Sequence, residues 1–267
     1  MKKLLFFSTS FLIGFGLLGT SKAEEIAQEA LNAWLAHKPI QKLQLLSKKD
    51  DFLLIGLEPY LGRGNYAIES PINLRLSSHS KKLILSDSKG IIHKSSDINI
   101  GWKKLDLSAP KRISRKVVGP FSSFESAQQF SIKLNKLGIK SEIAHPNDWE
   151  LWIHQKIIIP KEIKYKSFSK TIDFTIQPYL KGRNIDLRLS GPIQINAPGG
   201  LQWNKGVYFG SFLLKPDAYG TWTFIEKVSI DQYLNGVVPY EIGASSPGNA
   251  LAAQAVLART WALANSH

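Results

Sequence analysis

The chain has 267 residues, no cysteine, 34 basic against 21 acidic side chains and a net charge of +13. Without thiols it builds neither a disulfide framework nor a thiolate metal site, so stability must come from an apolar core, for which seven Trp and thirteen Phe supply material. The charge favours anionic partners; no nucleic-acid motif accompanies it, so nucleic acid is not among those expected.

The first residues set the expected compartment. Lys2 and Lys3 precede an apolar run from Leu4 to Gly19, and the small residues Ser21 and Ala23 flank Lys22. That is the layout of a secretory signal peptide, residues 1–23, cleaved after Ala23. The run is close to the shortest spanning helix, about 17 residues, so an uncleaved segment would be the one membrane contact expected. Cleavage leaves 244 residues, enough for one large domain or several small ones, and lowers the charge to +10. The expected location is exported, in the periplasm or cell envelope, where lipid headgroups and wall-polymer carboxylates are the anions at hand.

Residues 24–114 predict a helix followed by a β-rich region. Ala27, Ala30, Leu31, Trp34 and Leu35 recur at helical spacing. From Phe52 to Leu107 short alternating runs such as "INLRLS" and "KKLILSD" read as strands separated by turns. The stretch "LEPYLGRG…INLRLSS" (57–78) echoes "IQPYLKGRNIDLRLSG" (176–191). Matched strand-turn-strand units and chance likeness both account for the echo.

Residues 115–160 predict a small β-α-β unit. Val117 and Val118 run into Gly119-Pro120, a turn signal. Ser122 with Glu125 has capping-box spacing, Ala127, Phe130, Leu134 and Leu137 supply a buried face, and Gly138 ends the helix. Ile139 to Ile143 then alternates as a strand. The V-G-P-F turn and the L-x-x-x-G helix end resemble half of a SPOR domain, which implies binding of glycan strands stripped of their peptides. An ordinary β-α-β insertion accounts for the same pattern.

From Tyr165 onward strands return, and "SIDQYLNGVV" turns helical, with Ser229 as cap and Pro239 expected to close it. Ser246-Pro247 predicts the start of a second helix. Between 250 and 264 only Gln254, Arg259 and Thr260 are polar, which predicts a buried helix. A buried arginine needs an acceptor, for which Glu241 and Asp231 are at hand; a route along the helix to water is the alternative.

The whole stretch "SIDQYLNGVVPYEIGASSPGNALAAQAVLARTWAL" resembles the core motif of the SpoIID/LytB family (stage II sporulation protein D and amidase enhancer). Matching positions are Tyr233, Leu234, Gly236, Val237, Val238 and Glu241, then Ala250, Leu251, Ala253, Gln254, Ala255, Val256, Ala258, Arg259 and Thr260. Ile242-Gly243 stand where the family has Met-Pro, Ala252 replaces a frequent lysine, and Trp261 the usual tyrosine. The resemblance implies a lytic transglycosylase acting on peptide-free glycan strands of peptidoglycan, with Glu241 as the catalytic acid. One carboxyl suffices because the sugar's own C6 hydroxyl is the nucleophile, whereas ordinary glycoside hydrolysis uses two. Such an acid is expected in an apolar setting that keeps it protonated. Arg259, Gln254 and Tyr240 are expected to bind substrate or organise the site.

The expected class is thus mixed α+β: a β-rich exported protein ending in a strand-then-buried-helix core. The SpoIID/LytB-like domain is expected over 165–267 and, by the resemblance, would continue past His267. No cofactor is expected and no metal, since the six histidines show no ligand spacing. The alternative is a non-catalytic wall-binding protein or amidase activator, with glycan strands and a cell-wall amidase as partners.

Overall fold

A computed structural model describes residues 28–47, 52–66 and 69–266, so the signal-peptide reading of residues 1–23 lies outside the described residues. Residues 28–36 form α1. There follow β1 (Leu43–Ser47), β2 (Phe52–Leu61), β3 (Leu74–Ser78), β4 (Leu83–Ser86), β5 (Ile92–Ser95), β6 (Asp97–Phe121), α2 (Phe124–Lys136), β7 (Glu142–Ala144), β8 (Trp149–His154), β9 (Lys166–Gly182), β10 (Ile185–Arg188), β11 (Ile193–Trp203), β12 (Gly206–Pro216), β13 (Trp222–Ser229), α3 (Ile230–Ile242) and α4 (Gly248–Asn265). The class is mixed α+β and strand-rich, as expected.

The strands form one sheet, ordered β1-β2-β13-β12-β11-β3-β6-β8-β7, with β4–β5 branching from β11 and β9–β10 from β6. Alternation drives it: on β3, Leu74 and Leu76 point inward and Arg75 outward, and Leu83 and Leu85 do the same on β4. The main apolar cluster gathers these leucines with Ile98, Ile100, Phe212, Trp222 and Phe224. Phe212 and Phe224 stack at 5.5 Å, and Trp222 Nε1 donates to the Ile176 carbonyl at 2.8 Å. The fit is close enough that a Cβ on Gly191 would lie 2.6 Å from the Trp222 ring. Helix α1 buries Ala30, Leu31 and Trp34, part of the face expected of it.

A second cluster lies under α2 and includes Val118, Ala127, Leu134, Leu151 and Ile153. Strands β6 and β7 both pair antiparallel with β8, which leaves them parallel to each other with β8 between. That is the order of a split β-α-β arrangement. The capping box is real but one residue later than the sequence suggests: Ser123, not Ser122, caps, and its partner is Ser126. Leu137 is exposed rather than inward, because the helix ends there and Gly138 follows in the left-handed region at φ +76°. β6 runs unbroken through position 114, so the regions read from sequence share one hydrogen-bonded sheet, and the main apolar cluster draws on both residues 24–114 and residues 165–267.

The sequence echo does not extend to pairing. β9 and β10 are hydrogen-bonded neighbours, whereas β2 lies between β1 and β13, and β3 between β11 and β6. No helix among the described residues is long and apolar enough to cross a membrane.

Candidate functional site in the groove between the last two helices

Ser229 opens α3 as expected, its side chain accepting from the Gln232 amide at 3.2 Å. The helix does not close at Pro239, however, but continues to Ile242. So near the end, the proline removes only one helical hydrogen bond, and Gly243 N still bonds the Pro239 carbonyl at 3.0 Å. Tyr240, Glu241 and Ile242 therefore form a last helical turn instead of a loop. Ser246 does not cap α4: its Oγ donates to the Ile242 carbonyl at 2.6 Å, finishing α3, while Pro247 takes the cap position without a side-chain bond.

The expectation of a buried α4 is also corrected. Leu251, Ala255, Ala258 and Ala262 form the stripe that meets Leu234 and Val238 of α3 and the edge formed by β1, β2 and β13. That stripe carries the buried apolar contacts of α4. Val256, Leu257, Trp261 and Leu263 turn outward, Leu257 64% and Trp261 56% exposed. An apolar composition around the whole helix was a poor guide, because the seam is made of small residues and the large ones lie off it.

The two helices leave an open groove of about 340 Å³ between them. From α3 it is lined by Tyr233, Val237 and Glu241, which stack one turn apart at i, i+4 and i+8; α4 contributes Gln254, Leu257, Ala258 and Trp261. The Gln254 amide Nε2 donates to Glu241 Oε2, which ties one carboxylate oxygen to the opposite wall. Burial, and then the negative charge of Glu241, raises the Tyr233 phenol above its ordinary range, so it remains a protonated donor beside the carboxylate.

Of the four residues singled out in the sequence, the groove joins two, Glu241 and Gln254. Glu241 is exposed, not enclosed in apolar surroundings as expected: Leu234 and Val238 face the sheet, and the last turn of α3 carries Glu241 clear of it. Tyr240 is 92% exposed and points away from the groove. Arg259 bonds Asp231 rather than Glu241, Nη1 to Oδ1 at 2.9 Å, and so fastens the first turn of α3 to α4 from outside the groove. Sequence reasoning missed Tyr233, Val237, Leu257 and Trp261 as lining residues. The signal was there in the four-residue ladder ending at Glu241 and in the 254, 257/258, 261 spacing.

A second carboxyl stands out nearby in the chain. Glu226 on β13 lies between Ile55 and Phe212 across the strands, has no hydrogen-bond partner among the described residues, and is pushed by burial up to about 7. It does not line the groove. No cluster of His, Asp and Glu suited to a metal ion occurs among the described residues.

Residues 218–267 match the SpoIID family model, stage II sporulation protein. The match begins just before β13 and takes in α3, α4 and every lining residue of the groove, about a fifth of the chain. The family match thus falls on the same C-terminal segment whose motif carries the resemblance. No curated protein and no solved structure matches it.

Proposed function

We propose that this is an exported cell-wall-processing protein whose SpoIID segment cleaves peptide-free glycan strands of peptidoglycan as a lytic transglycosylase. The observation that carries the reading is Glu241 held by Gln254 in a groove walled by Tyr233 and Trp261, inside the family-matching segment. Glu241 donates a proton to the glycosidic oxygen as the bond from that oxygen to C1 breaks. The C6 hydroxyl of the same sugar attacks C1 and returns its proton to Glu241, leaving a 1,6-anhydro end and consuming no water. Gln254 fixes one carboxyl oxygen and leaves the other to the sugar. A sugar ring filling the groove between Tyr233 and Trp261 would displace water from around the carboxyl.

Mass spectrometry of peptide-free strands incubated with the protein tests this. Products ending in 1,6-anhydro sugars are expected from the wild type and absent with Glu241→Gln; an active Glu241→Gln protein would overturn the assignment.

A second reading, a wall-binding protein or amidase activator without its own chemistry, is favoured by the openness of the groove and the exposure of Glu241. It expects glycan binding that survives Glu241→Gln and weakens as salt screens the charges.

A further inference from the structure

A larger groove lies away from α3 and α4, where the end of β2, the chain leading into β3 and the β11–β12 turn come together. Its volume is about 1080 Å³, generous for a small metabolite and suited to a chain-like ligand. Glu58, Asn73, Arg75 and Asn204 all line it, and none of these four side chains has a hydrogen-bond or ion-pair partner among the described residues. Directly across the strand pair from Arg75, Asn99 keeps a buried Oδ1 without a partner. Trp203 contributes a half-buried ring, held in place by Phe224 at 5.6 Å and Tyr208 at 6.0 Å.

These groups form a coherent set. A fixed indole offers a flat apolar surface for the C–H face of a pyranose. Two amides and a carboxylate supply both donors and acceptors for ring hydroxyls. The unpaired guanidinium of Arg75 matches a carboxylate on the ligand in a two-pronged bond. An aliphatic ligand would leave the polar groups unused.

We propose that this groove is a second carbohydrate site, taking an oligosaccharide that bears carboxylates and holding it apart from the groove of Glu241. It rests on the cell-wall reading for the source of the sugar alone. The site would retain a strand or its product on the protein while cleavage proceeds elsewhere.

The experiment is a titration of the full-length chain with a peptide-free tetrasaccharide carrying lactyl carboxylates, followed by NMR and calorimetry. Neutral chitotetraose and free D-lactate are run alongside. The variants are Arg75→Glu, Glu58→Gln and, separately, Glu241→Gln. The acidic tetrasaccharide is expected to shift resonances around Arg75, Asn204 and Trp203, and to bind about tenfold or more weakly to Arg75→Glu. Chitotetraose should bind more weakly than the acidic sugar, and Glu241→Gln should leave these shifts in place. Shifts confined to the α3–α4 groove, or affinity unchanged in both Arg75→Glu and Glu58→Gln, would overturn the second site while leaving the proposed cleavage intact. Binding of D-lactate as tight as that of the sugar would overturn the carbohydrate assignment, as would no binding at all. The cleavage reading falls by the product assay, independently of either result.

Discussion

Two tryptophans in the same family-matching segment have opposite fates. Trp222, at the start of β13, is 1% exposed, donates to the Ile176 carbonyl and leaves no room for a Cβ on Gly191. Trp261, on α4, shows more than half its surface and lines an open groove. The inward faces of the sheet's strands pack together in the main apolar cluster, so the large side chains that point there are enclosed. The helical layer touches the sheet along one seam of leucine and alanine, so its large side chains are left for something else. Burial of the first kind holds the fold, and exposure of the second kind is what a ligand can use.

The sharpest way to break that comparison is to truncate both rings. Trp222→Ala should cost about 3–5 kcal/mol, since it opens a cavity and strips the Ile176 carbonyl of its donor. Urea unfolding would register this as a large drop in midpoint. Trp261→Ala should change the unfolding free energy by no more than about 0.5 kcal/mol, the range of ordinary surface changes. It should nevertheless weaken glycan binding or cleavage. Equal destabilisation by the two would mean that α4 is enclosed after all, and the groove would lose its standing as a site.

The comparison also applies to two carboxyls. Glu241 stands on the exposed helical layer, whereas Glu226 occupies a row of apolar cross-strand neighbours, Leu43, Ile55, Phe212 and Ile195. Burial moves the Glu226 carboxyl from 4.5 to about 7. Between those values the unfolded chain has released its proton while the fold still holds it. Stability attributable to this group therefore falls as pH climbs from about 4.5 to about 7 and stays lower above. Glu226→Gln should thus be more stable than wild type at pH 8, by about 1–2 kcal/mol given the partial contact with water, and no different at pH 4. Glu29, raised to about 7 chiefly by burial and eased by the Gly191 backbone and Lys215, contributes to the wild-type decline in the same window. Thermal midpoints across pH, with Glu29→Gln alongside, separate the two.

Most of the sheet was legible because alternation is a local property: "INLRLS" and "KKLILSD" carry their inward faces in their own spelling. Ser229 and Gly138 were legible for the same reason. What failed needed a neighbour. Whether α4 is buried depends on what covers it, and the sequence gives only its composition. Pro239 reads as a stop, yet so close to the end of a helix it removes little. The partner of Arg259 was open between two carboxylates, and helix crossing decided for Asp231. The resemblance named Glu241 and Gln254 as residues that matter, but only the facing of two helices makes them hydrogen-bonded partners. Strand pairing was equally out of reach: the echo between residues 57–78 and 176–191 survives as strands and fails as pairing, because register is set by distant segments.

The smallest effect concerns that fastening. Arg259 and Asp231 are both exposed, so their coupling in a double-mutant cycle of Arg259→Ala and Asp231→Ala should be only about 0.2–1 kcal/mol and should shrink as salt is added. Their place in the molecule gives the pair a role larger than its energy. Asp231 sits in the first turn of α3 and Glu241 in its last, so a tether from α4 at one end fixes the angle at which Gln254 meets Glu241 at the other. Loss of the pair should therefore cost more in glycan turnover than in stability, with the change falling on kcat rather than KM if alignment of the carboxyl is what suffers. Exchanging the two charges, Asp231→Arg with Arg259→Asp, should recover turnover if the tether is the cause. Failure of the exchange to recover it, with stability unchanged, would mean that Arg259 contacts the glycan itself.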